Sequence, residues 1–208
     1  MQILLIDDHS LFRDALAFLI SHRFPDICVL HAGSLGEAQR TIAAEPALRL
    51  ALVDLSLPDS EGTDTVRALK AATEQVTLVV ISADERPETV LAAIDAGAAG
   101  FIPKTARKAV LEDAVETVLD GRVFVPQQAI TDLSPLQGDD GPVDLSPRQR
   151  DVLRLLIEGK PNKTISRELE LSESTVKTHL AAIFRKLDVE SRTQAVLAAA
   201  RLGLRLAG

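Results

Sequence analysis

Residues 1–9 read MQILLIDDH: four apolar residues, Ile3 to Ile6, run straight into two aspartates. A short, unbroken apolar run is the pattern of a strand buried on both faces. The arrangement returns in residues 51–62, ALVDLSLPDSEG, where the run Leu50 to Val53 meets Asp54. Further apolar runs stand at Ile27 to Leu30, Val76 to Ile81 and Gly100 to Ile102. Between the runs lie segments with helical spacing, such as Leu11, Ala15, Phe18 and Leu19, or Val110, Leu111, Ala114, Val115 and Val118. Strand then helix, repeated about five times, predicts an α/β fold: a five-stranded, doubly wound parallel sheet with right-handed crossovers, of the flavodoxin-like kind. In such a sheet, sites form at the carboxyl ends of the strands.

The pattern dissolves in residues 126–144, PQQAITDLSPLQGDDGPVD, which hold Pro, Gly, Asp and Gln with no periodic apolar stripe and read as a linker. From Leu145 onward only helices are predicted. Ser146 caps the first, with Pro147 in its first turn and Gln149 completing a capping box, and Gly159 stops it. A short helix is expected near Lys163 to Leu169, a turn at Glu170 to Ser172, a longer helix to about Leu187 and a last one from about Arg192 to Leu202. The expected organisation is therefore an α/β domain over 1–125, a linker over 126–144 and an all-α, four-helix domain over 145–208.

The net charge of −7 hides a division. Residues 144–208 hold twelve Lys and Arg against eight Asp and Glu, whereas residues 1–143 hold eleven against twenty-two. An acidic front could hold a divalent cation; a basic back end is the expected footprint of nucleic-acid contact. Cys28 is the sole cysteine, so no disulfide framework forms, and within its apolar run it reads as a small core residue. No apolar run approaches the roughly 18–20 residues that span a bilayer, and the opening lacks the pattern of a signal peptide. A cytoplasmic setting with no membrane role is the expectation. His9, His22, His31 and His179 show no metal-ligand spacing and read as packing or surface residues.

Asp7, Asp8 and Asp54 close two strands, Ser82 ends the fourth and Lys104 follows the fifth, so the fold would gather three acids, a hydroxyl and an amine at one edge. Taken singly, the aspartates read as helix caps and the lysine as a surface charge. Taken together they are the parts that phosphoryl transfer to an aspartate needs: a carboxylate nucleophile, oxygen ligands for a hard ion such as Mg²⁺, and donors for the phosphoryl oxygens. The segments LLIDDH, ALVDLSLPDSEG, ISAD and GFIPKT resemble the receiver domain of two-component response regulators, over about Met1 to Val125. That resemblance implies Asp54 as phosphoacceptor, with Mg²⁺ bound by Asp8, Asp54 and the backbone carbonyl of Ser56, and by Asp7 through water. Ser82 and Lys104 would contact the phosphoryl group. Phe101 would be the aromatic that changes rotamer as Ser82 moves, a role its alternative as a simple core residue leaves open. Ser56 stands where the family more often has an apolar residue, and Asp84 lies two positions after Ser82; positions such as these tune how long the phosphate survives.

In the segment SESTVKTHLAAIFRKLDV, residues Val176, Leu180, Ile183 and Leu187 share one helical face, and Ser174, Lys177, Thr178, Ala181 and Arg185 share the opposite one. One face packs and the other can enter a major groove, with Ser172 as cap, Lys177 able to donate to guanine and Thr178 able to touch a thymine methyl or a phosphate. Asn162 and Lys163 would hold the DNA backbone. Residues 145–196 resemble the LuxR-type helix-turn-helix, which in tandem with a receiver marks regulators of the NarL/FixJ class. The resemblance implies Lys177 and Thr178 as groove residues, Thr175 and Lys163 as phosphate contacts, and a final helix that helps subunits pair. Ala181 stands where a basic residue is frequent.

The expected function is a phosphorylation-controlled transcription regulator. Its partners would be a sensor histidine kinase, double-stranded DNA and, when active, a second copy of the chain. It would be no enzyme beyond its own phosphorylation and dephosphorylation. An adaptor acting on a protein partner without reading DNA is the alternative. A hydrolase of exogenous phosphoesters is disfavoured, because Asp54 is followed by LSLP rather than by a second acid two residues on.

Overall fold

The computed structural model describes residues 1–73, 75–126, 143 and 145–201. The linker read over 126–144 falls outside them, apart from Pro126 and Val143. Chain contacts divide into two compact units.

The first unit holds β1 (Gln2–Ile6), α1 (Ser10–Arg23), β2 (Cys28–Ala32), α2 (Leu35–Ala44), β3 (Leu48–Val53), the two-residue strands β4 (Ser56–Leu57) and β5 (Ser60–Glu61), α3 (Thr63–Ala72), β6 (Thr77–Ser82), α4 (Pro87–Asp95), β7 (Gly100–Pro103) and α5 (Lys108–Leu119). The main sheet is parallel throughout, in the order β2-β1-β3-β6-β7. The five apolar runs thus become its five strands. β4 and β5 form a small antiparallel ladder that periodicity did not foresee, since two-residue strands carry no period.

Alternate side chains of the sheet enter two cores. Ile3, Leu5, Leu50, Leu52, Val79 and Ile81 pack with Leu16 and Ile20 of α1 and Leu111, Ala114, Val115 and Val118 of α5. Helices α2, α3 and α4 cover the other face, burying Ile42, Val66, Leu69, Val90 and Ile94. Two expectations are corrected here. Leu11 and Phe18 point outward, 83% and 70% exposed, and the buried positions of α1 are Leu16 and Ile20. The apolar spacing in this helix is ambiguous because Leu11, Ala15 and Phe18 form one stripe while Phe12, Leu16 and Ile20 form another. Cys28 is exposed rather than a core residue, because among the described residues β2 is an edge strand paired with β1 alone.

The other edge, β7, is closed by the chain after α5: Phe101 N–H donates to the carbonyl of Phe124 at 2.8 Å. A Cβ at Gly100 would lie 2.9 Å from that carbonyl oxygen, so the approach requires glycine.

The second unit contains α6 (Pro147–Ile157), α7 (Asn162–Glu168), α8 (Glu173–Lys186) and α9 (Arg192–Arg201) around a core of Leu145, Val152, Leu156, Ile165, Val176, Leu180, Ile183 and Ala195. The capping box is present in both halves: Ser146 Oγ accepts from Gln149 N–H, and Gln149 Oε1 accepts from Ser146 N–H. Gly159, at φ +75°, ends α6.

Replacing Gly100 with alanine forces the Phe124 carbonyl away from the sheet edge. The expected loss is about 1–3 kcal/mol of unfolding free energy, read by denaturant titration, with hydrogen exchange at Phe101 N–H accelerated beyond the global effect.

Candidate functional site

The sheet order reverses at β1: the chain adds β2 on one side of it and β3 on the other, which opens a crevice between the carboxyl ends of β1 and β3. The ladder extends past both strands and sets the acids in place. Asp54 N–H donates to Ile6 O at 2.8 Å, and Asp7 N–H donates to Ala32 O at 3.1 Å. Lys104 N–H likewise donates to Ser82 O at 2.8 Å, so the third side of the pocket is registered by backbone too.

Asp7 and Asp54 are buried, at 2% and 3% exposure. Lys104 Nζ bridges them, 2.7 Å from Asp7 Oδ2 and 2.8 Å from Asp54 Oδ2. Burial pushes the Asp54 carboxyl above its ordinary range; the hydrogen bond and charge of Lys104 oppose this, Asp7 adds to it, and the net direction is up. For Lys104, burial pulls downward, but its hydrogen bonds to Asp54 and Asp7 outweigh that and hold the ammonium above its ordinary range. Asp8 is exposed beside them, its Oδ1 2.7 Å from His9 Nδ1. One ligand atom each from Asp7, Asp8, His9 and Asp54 lies within 4.8 Å of the others, a cluster that could hold a metal ion. His9 is the member that motif spacing missed, because it follows the acids directly and matches no ligand pattern. The set fits a hard cation: three carboxylates outnumber one imidazole, and Lys104 together with the Arg13 guanidinium on the Asp7 carbonyl still leaves the pocket short of positive charge.

Around this centre Ser82 is buried and its Oγ accepts from Asp84 N–H at 3.1 Å. Asp84 itself is clamped, accepting from Arg86 Nε and Nη2 at 2.8 and 2.6 Å and from Thr89 Oγ1 at 2.8 Å; these hold its carboxyl far below the usual range. Phe101 is fully buried behind the strand ends. Ser56 opens the β4–β5 hairpin, whose tip residue Asp59 accepts from both Leu35 N–H and Gly36 N–H, at 2.8 and 2.9 Å. Asp59 thereby ties the loop after Asp54 to the start of α2, a contact no sequence pattern marks because the partners are backbone groups more than twenty residues away.

In the second unit, the predicted face of α8 is free: Ser174, Lys177, Thr178, Ala181 and Arg185 are exposed, while Val176, Leu180 and Ile183 are buried. Ser172 caps the helix, accepting from Thr175 N–H at 3.0 Å, and its hydroxyl also lies 2.7 and 2.8 Å from the hydroxyls of Ser174 and Thr175. Thr178 Oγ1 donates to Ser174 O. Lys163 is exposed at the start of α7. Asn162 is half-buried, and its Oδ1 accepts from Arg192 Nη1 at 3.3 Å. Because a guanidinium only donates, that contact leaves the amide hydrogens of Asn162 as the group directed elsewhere.

A parallel sheet with a buried acid–lysine cluster at its switch point, followed by a helix-turn-helix, defines a class of two-module regulatory proteins. The chain belongs to the response regulators that combine a receiver with a LuxR-type DNA-binding domain. Residues 3–116 match the response regulator receiver domain, and residues 143–199 match the bacterial regulatory proteins of the luxR family. The chain is 34% identical to the glycerol metabolism activator of Pseudomonas putida, over 95% of this chain and 94% of that one. It is also 34% identical to the nitrate/nitrite response regulator NarL of Escherichia coli K12, over 94% and 93%. Among solved structures, response regulator ChrA of a heme-sensing two-component system covers 98% of both chains, with 30% identity and a TM-score of 0.51. RcsB of Salmonella typhimurium, at 22% identity and a TM-score of 0.59, shares the fold. No helix among the described residues is long and apolar enough to cross a membrane.

Removing the ammonium strands two buried carboxylates. Lys104→Met is expected to lose roughly 3 kcal/mol of stability without divalent cations, with part of the loss recovered when Mg²⁺ is added, as thermal melts will read. Asp59 is ionised more readily when folded than unfolded, since the Gly36 and Leu35 N–H groups hold its carboxyl below 3.8. Its contribution is therefore complete above that range and fades as pH falls through it. The gap in melting temperature between wild type and Asp59→Ala should be widest near neutral pH and narrow below about pH 4.

Proposed function

We propose that this chain is a transcription regulator whose DNA binding is controlled by phosphorylation of Asp54. The observation that carries the reading is the bridge of Lys104 between Asp7 and Asp54 at 2.7 and 2.8 Å, at the switch point of the sheet. Mg²⁺, held by Asp8, Asp54 and the Ser56 carbonyl, with Asp7 acting through water, would neutralise charge on the phosphoryl oxygens. Asp54 Oδ attacks the phosphorus of a phosphohistidine on a sensor kinase, or of a small phosphodonor. The bond to the leaving atom breaks, and its electron pair stays with the imidazole or other leaving group. The Lys104 ammonium, freed from its pairing with the Asp54 carboxylate, binds a phosphoryl oxygen, and the Ser82 hydroxyl donates to another. Phe101, fully buried on the neighbouring strand β7, is the side chain whose rotamer would follow that movement.

The added phosphate brings about two negative charges, which bias an existing equilibrium between inactive and active packings rather than build a new state. The active packing favours pairing of two copies, and two α8 helices then read two half-sites. In each, Lys177 and Thr178 face bases, Thr175, Lys163 and Asn162 face phosphates, and Ser174, Ala181 and Arg185 complete the groove face. The domain organisation follows: receiver over 1–125, linker over 126–144 and DNA-binding domain over 145–208.

Fluoroberyllate with Mg²⁺, a mimic of the phosphoryl group, tests this directly. It is expected to raise self-association and duplex-DNA affinity in wild type and to leave Asp54→Ala unchanged; an equal response in both proteins, or none in either, overturns the reading. For the DNA face, Lys163→Ala should reduce the slope of log affinity against log salt by about 0.9, the value for one neutralised phosphate, measured by fluorescence anisotropy. A protein that acts as an adaptor would show no salt-dependent DNA binding at all.

A further inference from the structure

Lys104 has a third neighbour besides the two carboxylates. Its Nζ stands 4.9 Å from the centroid of the Phe12 ring. Phe12 lies in the first turn of α1, half-buried, and packs against the core formed by α1, α5 and the sheet. It is therefore held by the fold on one side while its face is turned to the ammonium.

An aromatic face attracts a cation at this distance through its quadrupole, and more strongly where water is excluded. The lysine side chain is 16% exposed, so the attraction works in a poorly hydrated setting. The chemistry of the pocket gives the ring a distinct task. The carboxylate of Asp54 pulls on Lys104 only until Asp54 is modified. When a phosphoryl group is added, Lys104 has to give up that carboxylate and re-form its contact on a phosphoryl oxygen, and while it exchanges partners its flexible four-carbon stem can follow Asp7 alone or swing into solvent, at a gain of rotamer freedom. The ring is indifferent to the state of Asp54.

We propose that Phe12 is a positioning residue for the phosphoryl pocket: its face keeps the Lys104 ammonium at the pocket mouth in both states, so that the charge is already in place when the phosphoryl oxygen arrives. The proposal rests on the reading of Lys104 as a phosphoryl contact. A leucine at position 12 fills much of the same core space and offers no quadrupole; a tyrosine keeps the face.

The test is calorimetric titration of the full chain, saturated with Mg²⁺, with fluoroberyllate. The proteins are wild type, Phe12→Leu, Phe12→Tyr, Lys104→Met and the double variant Phe12→Leu with Lys104→Met, all at a temperature where melts show them folded. Phe12→Leu is expected to weaken binding by roughly three- to tenfold, and Phe12→Tyr to stay within about twofold of wild type. In the Lys104→Met background the leucine substitution should cost nothing further. An unchanged affinity in Phe12→Leu, or the same loss with and without Lys104, overturns the proposal. If Lys104→Met alone binds like wild type, the underlying reading of Lys104 fails and the role of Phe12 falls with it. Should Lys104→Met not fold, proton NMR of the Lys104 ε-methylene decides: the upfield ring shift present in wild type and Phe12→Tyr must vanish in Phe12→Leu, and its absence in wild type overturns the proposal.

Discussion

Two carboxylates buried side by side cannot both keep their charge without a cation between them. Asp7 and Asp54, each under 5% exposed, meet that condition through one ammonium, Lys104. Lys104 and the Arg13 guanidinium, which donates to the Asp7 carbonyl, set two positive charges against the carboxylates of Asp7, Asp54 and Asp8, so the pocket is short by one. A structural ion pair would be neutral and closed. This one remains incomplete, which is what a site for a divalent cation and an incoming phosphoryl group requires.

The sheet creates the shortage. Ile3 to Ile6 and Leu50 to Val53 are buried because they form inner strands of the sheet, and the backbone ladders continue one residue beyond: Asp54 N–H onto Ile6 O of β1 and Asp7 N–H onto Ala32 O of β2. The acids are therefore held by main-chain hydrogen bonds to residues 25 and 48 positions away along the chain. The loop after Asp54 is fixed by equally local means, a two-pair ladder and the Asp59 carboxylate on the start of α2. Rigid placement matters here because charge repulsion would otherwise spread the acids apart.

The helical unit solves a different problem. Val176, Leu180 and Ile183 anchor α8 in a small core, and this frees its other face of any packing duty. The hydroxyls at its N-terminus cap one another and the backbone, and Lys177 and Arg185 along it are exposed. Ala181 sits in the middle of that face with nothing to donate, so the polar contacts available to a nucleic acid are concentrated toward the first two turns.

Local chemistry was written in the chain itself. Five apolar runs at the lengths of buried strands, the Ser146–Gln149 capping box and the apolar stripe of α8 depend on neighbours within a few residues, and each appears where periodicity and capping rules put it. So did the convergence of acids and lysine, because strand ends in a parallel sheet share one edge. What the sequence left open was decided by neighbours distant along the chain. Helix α1 carries two apolar stripes, and only packing against α5 and the sheet selects Leu16 and Ile20 over Leu11 and Phe18. Cys28 is exposed because β2 is an edge strand among the described residues, His9 shares a cluster with Asp54 across forty-five residues, and Phe12 meets Lys104 across ninety-two. Periodicity reports which faces a segment could bury; tertiary structure alone supplies the surface against which one of them is buried.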